Sequence, residues 1–173
     1  LLVWAPPFLA PFAFAGIGVL GISAAWEEKP TGSGRLMLPF GLTVQMPYSK
    51  TRAYFFLVSL GTLVALVSSA LDHARHPWEN PWLWLPLVVG VFATVVSAGM
   101  GAANRKLTAE DVSIYIAAMV LLVLVGVIGA YFHIQADLTA QSTIVPERFL
   151  RGAPFMSPLL FSNMGIVGLL ALF

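Results

Sequence analysis

The chain contains no cysteine. Iron–sulfur clusters, thiolate zinc sites, cysteine nucleophiles and disulfide scaffolds are therefore excluded, and the redox compartment cannot be read. Charge is nearly as scarce. Asp, Glu, Lys and Arg make up 10% of the 173 residues, against roughly 25% in an ordinary soluble domain. A formal net charge of +1 gives no basic footprint, so no nucleic-acid partner is expected. Catalytic signatures are missing too: no phosphate loop, no Gly-x-Ser-x-Gly elbow, no His-Glu-x-x-His helix. No base, nucleophile and electrophile stand at a spacing that would make an enzyme. What is abundant is apolar, with 58% hydrophobic residues and a mean hydropathy of +0.86. That content excludes disorder. It predicts an all-α integral membrane protein.

A helix needs about 20 apolar residues to cross a bilayer. Five stretches approach that length: 2–26, 53–71, 82–103, 113–134 and 155–173. The expected fold is a single transmembrane domain, 1–173, of about five transmembrane helices arranged as repeated helical hairpins. Trp82 and Trp84 stand where an aromatic belt belongs, and Thr108-Ala-Glu-Asp111 reads as a capping signal ahead of the fourth span. The chain opens Leu-Leu-Val-Trp without a basic n-region, which is not a signal peptide. The expectation is a processed N-terminus or part of a longer chain.

Orientation follows from the basic residues flanking the spans. Lys29, Arg35, Lys50, Arg52, Arg105 and Lys106 fall on one side, and Arg75, Arg148 and Arg151 on the other. Six against three places the N-terminus outside and the C-terminus in the cytoplasm. Glu147-Arg-Phe-x-x-Gly-Ala-Pro154, running on to Pro158-Leu-Leu-Phe161, resembles bacterial multi-span membrane proteins. The resemblance implies a bacterial inner (plasma) membrane and no particular activity.

The first and last spans share a pattern. Pro7-Phe-Leu-Ala-Pro11-Phe-Ala-Phe14 followed by Gly18 and Gly21 matches Pro154-Phe-Met-Ser-Pro158-Leu-Leu-Phe161 followed by Gly165 and Gly168, always 147 positions apart. Six anchors in register point to an internal duplication relating 7–25 to 154–172. A weaker echo relates Val64–His73 to Leu124–His133, each an apolar helix reaching a histidine, with Glu79–Pro86 and Glu147–Pro154 beyond. Prolines and glutamates also mark ordinary helix starts, which would explain this second echo without duplication. Gly126 and Gly129 repeat the three-residue glycine spacing. Small residues let helices approach closely in lipid.

None of the five stretches contains Asp, Glu, Lys or Arg. Intramembrane charge marks ion pathways and proton relays, so a pump, channel or proton-coupled transporter is not expected. The histidines are the candidate ligands. His73, His76 and His133 all fall on the outer side, with Asp72 and Asp137 beside them at i,i+4 spacing to His76 and His133. Such a set suits a transition metal, a haem held by two axial histidines, or the magnesium of a chlorin. The plainer alternative is histidine resting at a headgroup boundary, paired with a carboxylate. Bound lipid is expected either way. The expected function is a non-catalytic accessory or structural subunit of a larger membrane protein complex, of the respiratory or photosynthetic electron-transport kind, with other membrane subunits and lipids as partners. The alternative is a stand-alone haem-, metal- or quinone-binding membrane redox protein using the outer histidines.

Overall fold

The computed structural model describes residues 9–74, 78–139 and 155–173, and these are mostly helical. In chain order the described helices are α1 (Leu9–Ala24), α2 (Lys50–His73), α3 (Leu85–Ala102), α4 (Ala109–Thr139) and α5 (Met156–Leu170). Three segments, Lys50–His73, Pro81–Ala102 and Ala109–Leu138, are long and apolar enough to cross a membrane. The other two apolar helices are shorter. The 15 residues of α5 rise about 22 Å, less than the ~30 Å hydrocarbon core.

Local signals set the helix ends. Before α4, the Thr108 N–H donates to Asp111 Oδ2 (2.8 Å) and the Asp111 N–H donates back to Thr108 Oγ1 (3.2 Å). This reciprocal pair is the expected capping box, and the Arg105 guanidinium grips the same carboxylate at 2.6 and 2.8 Å. At the same end of the bundle, Arg52 donates to the carbonyls of Gly101 (2.7 Å) and Ala102 (3.3 Å), where α3 stops. Lys50 donates to Ala24 O (3.0 Å) and Trp26 O (2.6 Å), where α1 stops. Two cations thus sit on the negative ends of two helix dipoles.

The connection between α1 and α2 holds a small antiparallel sheet that the sequence reading did not anticipate. Its strands are β1 (Glu27–Glu28), β2 (Arg35–Met37) and β3 (Thr43–Gln45), in that order. Gly34 has φ +75°, and a Cβ there would lie 2.5 Å from Met46 O, so only glycine fits. Burial would raise the Glu28 carboxyl. The N–H groups of Gly32, Gly34 and Lys50, with the Lys50 charge, outweigh burial and hold it below its ordinary value. The β2–β3 turn presents Phe40, fully exposed at φ +65°, beside exposed Leu42 and Val44.

α2 to α5 close around one core that includes Phe55, Val58, Ala93, Met119, Leu122, Phe161 and Met164. Hydroxyls tie the helices together: Ser59 to Thr94 O (2.9 Å), Tyr115 to Gly168 O (3.0 Å) and Ser162 to Val123 O (2.8 Å). Glycine decides how closely α4 and α5 approach. A Cβ at Gly126 would stand 2.6 Å from Ser162 N and 2.7 Å from Pro158 O, and one at Gly165 2.5 Å from Met119 O. α1 differs. It lies on α2 through buried Leu20 and Ser23, whose hydroxyl is 3.0 Å from that of Tyr54. Among the described residues, a Cβ at Gly16, Gly18 or Gly21 would meet nothing within 4 Å.

Candidate ligand-binding cavity

The bundle end opposite the capped basic residues encloses a cavity of about 270 Å³. Helical periodicity explains which side chains reach it. On α2, Ser69, Asp72 and His73 stand at i, i+3 and i+4 and share one face. On α4, Val125, Gly129, Phe132 and His133 do the same at i, i+4, i+7 and i+8. The two faces are therefore directed at one space, and His73 and His133, 60 positions apart in sequence, line it together.

The rest of the wall comes from the starts of α3 and α5. Asn80 opens a 3₁₀ turn over Pro81–Leu83, its side-chain oxygen accepting from the Trp82 N–H at 3.1 Å. That turn sets the Trp82 ring 5.1 Å from Phe132. Trp84 donates its indole N–H to Trp78 O (3.2 Å) and packs against the Trp78 ring, 5.0 Å between centroids and tilted by 48°. Trp78 in turn meets His73 edge-on, 6.5 Å between centroids. Trp82 and Trp84 are thus each held against a second aromatic ring, Phe132 and Trp78 respectively. Pro86 and Pro158 occupy first turns, where a missing N–H costs little. A Cβ at Gly129 would lie 2.8 Å from Pro158 Cβ, so the glycine lets α5 settle against α4 beside the cavity.

The candidate ligands are placed unequally. Asp72, His73 and His133 line the cavity. α4 continues past His133 to Thr139, so Asp137 follows His133 by one helical turn; it is buried and does not line the cavity. His76 lies outside the described residues, as do Arg75, Glu147 and Pro154. Among the described residues, no group of three or more His, Cys, Asp or Glu is placed to hold a metal ion. Sequence reasoning did not single out Ser69, Asn80, Ser157 or Phe132. Ser69 carried a signal in its spacing, one turn before His73, whereas Asn80 and Ser157 reach the cavity only through the fold. No family model, no curated protein and no solved structure matches the chain, so the site is read from its own residues.

Proposed function

We propose that the chain is a non-catalytic accessory subunit of a larger membrane protein complex, contributing helices and a ligand cavity rather than chemistry. One contrast carries this reading. The motif shared by residues 7–25 and 154–172 has its glycines packed on α4 in α5, while in α1 Gly18 and Gly21 have none of the described residues within 4 Å of a Cβ placed there. On an internal duplication, the α1 glycine face is a helix-packing surface awaiting a neighbour. The exposed turn around Phe40, with Leu42 and Val44, adds an apolar surface that favours a covering partner.

Within this reading the chain crosses the bacterial plasma membrane five times. The cavity end faces outward and the cation-capped end faces the cytoplasm. Ala74→Cys introduces a single cysteine into a sequence that has none, and it should react with an impermeant thiol reagent from outside; reaction only from the cytoplasm reverses the orientation.

Extraction in a mild detergent, followed by a native gel and mass spectrometry, tests the subunit reading. Co-migration with a respiratory or photosynthetic complex is the expected result. A chain that runs alone in every mild detergent would sink it. The second reading, a stand-alone haem-, metal- or quinone-binding redox protein, is favoured by His73 and His133 sharing one cavity. The same preparation separates the two, since stoichiometric metal or a visible chromophore in a solitary chain supports the second.

A further inference from the structure

We infer that the cavity takes one acyl chain of a membrane glycerolipid, entering sideways from the leaflet that adjoins this end of the bundle, with the headgroup left at the rim. The inference deepens the subunit reading by naming the ligand of its cavity. It rests on that reading only for the cavity being a binding site, not for the identity of a neighbour.

Polarity along the cavity selects the class of ligand. α2 and α4 run towards this end of the bundle, and α3 and α5 start from it. His73, His133, Asn80 and Ser157 stand nearest that end and form a polar rim. Leu85, Pro86, Val125 and Phe161 lie a turn or more further in and form an apolar floor. Ser69, one turn in from His73, is the polar exception among the described lining residues. Asp72, His73 and His133 each already have an interaction partner within the protein, so none of them requires one from a ligand. Past the rim a ligand meets hydrocarbon walls, where a polar group of its own would go unanswered and an apolar one is stabilised.

Access and size select a lipid chain. Trp82, Ile128 and Phe132 line the cavity and are also exposed on the flank of the bundle. Among the described residues the mouth therefore opens sideways, between the start of α3 and α4. Ile128 lies within the apolar run 113–134 of a helix long enough to cross a membrane, so the mouth opens at hydrocarbon depth. The volume of about 270 Å³ exceeds the ~150 Å³ of an apolar cavity that holds one benzene, and falls below the ~300 Å³ at which sites for drug-sized molecules begin. On α4 the lining runs from Val125 to His133, about 12 Å along the axis, and on α2 and α5 over half that length. One stretch of chain fits this space, and a tetrapyrrole does not. Water is a poor content, because the floor offers it too few polar partners. A hydrocarbon chain restores the van der Waals contacts that bare apolar walls forfeit.

The test reconstitutes the full chain in phosphatidylcholine vesicles carrying a trace of phosphatidylcholine with a diazirine at the end of one acyl chain. Irradiation is followed by peptide mass spectrometry to map the adducts. Adducts are expected on Val125 and Phe161, which line the cavity yet are buried from bulk lipid, and on the outward-facing Leu60 and Val95. Ser69→Phe puts a ring into the same space and should lower labelling at Val125 and Phe161 about tenfold, with Leu60 and Val95 unchanged. Ser69→Ala adds no such bulk and should leave all four within about twofold of the unaltered chain. Adducts confined to outward-facing positions would overturn the inference, since the protein itself would then close the cavity to lipid. So would buried labelling that persists in a folded Ser69→Phe variant, or labelling by a diazirine fatty acid but not by the phospholipid. Loss of the buried adducts on adding a trace of decylubiquinone would assign the cavity to a ring ligand and overturn it as well. The adduct map of the unaltered chain decides the matter even if Ser69→Phe does not fold. Failure here leaves co-migration on the native gel untouched, so loss of the ligand and loss of the subunit reading are separate outcomes.

Discussion

Gly126→Ala is expected to destabilise the protein by about 1–3 kcal/mol, the usual cost of forcing an extra methyl group into a packed site. Helix propensity points the other way, because alanine is favoured over glycine by about 1 kcal/mol in a helix interior. Sterics decide the sign. The added Cβ meets the backbone of α5, Ser162 N at 2.6 Å and Pro158 O at 2.7 Å, and backbone cannot step aside as a flexible side chain can. Separating α4 from α5 to admit the methyl would also strain the Ser162 to Val123 O and Tyr115 to Gly168 O bonds. Gly165→Ala, facing Met119 O at 2.5 Å, should behave alike. Gly99→Ala is the control, since its Cβ has open space, and it should be neutral or slightly stabilising. Thermal unfolding of the three variants in one detergent checks the ranking. Equal melting temperatures for Gly126→Ala and Gly99→Ala would show that α4 and α5 are not held together through glycine.

Much of this architecture is legible in the sequence because membrane helices declare themselves by length and apolarity. The runs at 53–71 and 113–134 fall within segments long and apolar enough to cross a bilayer, and the run at 82–103 matches the remaining one except for its last residue. The ends of two helices lie further out than the apolar runs, α2 beginning at Lys50 and α4 running from Ala109 to Thr139, because polar and capping residues extend a helix beyond its apolar window, whereas α3, Leu85–Ala102, lies inside its run. Thr108 and Asp111 were readable because a capping box is a local code. The sheet was not. Its strands are two or three residues long, too short for an alternating pattern, and they are held by Gly34 and by hydrogen bonds to Glu28 from Gly34 and from Lys50, 22 positions away. The cavity was half legible. That His73 and His133 stand at one end of the bundle follows from the order of the apolar runs, but that they line one cavity while Asp137 does not depends on helix rotation. No single-helix pattern contains that information. Glycine spacing has the same limit. The three-residue interval occurs in α1, α4 and α5, yet it predicts close approach only where a second helix is present to receive it.

Gly18→Leu combined with Gly21→Leu is the variant in which that limit becomes a measurement. In the isolated chain the pair should leave the melting temperature unchanged, because neither position has a neighbour within 4 Å among the described residues and α1 is held to α2 by its opposite face, through Leu20 and Ser23. The equivalent pair in α5, Gly165→Leu with Gly168→Leu, should prevent a native fold, since those positions abut Met119 and Tyr115 on α4. Within native membranes the expectation for α1 changes. Two leucines on a face that receives another helix would push the backbones apart and remove the contacts on which association in lipid depends. Losing only 1.4 kcal/mol of association energy lowers affinity about tenfold, so recovery of the larger complex on a native gel should fall by at least that factor at limiting expression. Each combination of results has one reading. A stable chain that no longer co-migrates identifies α1 as the helix that meets the neighbouring subunit. A destabilised chain means that the α1 glycines are packed within the protein after all. A stable chain that still co-migrates means that this face meets only lipid, and the subunit reading then loses the observation on which it stands.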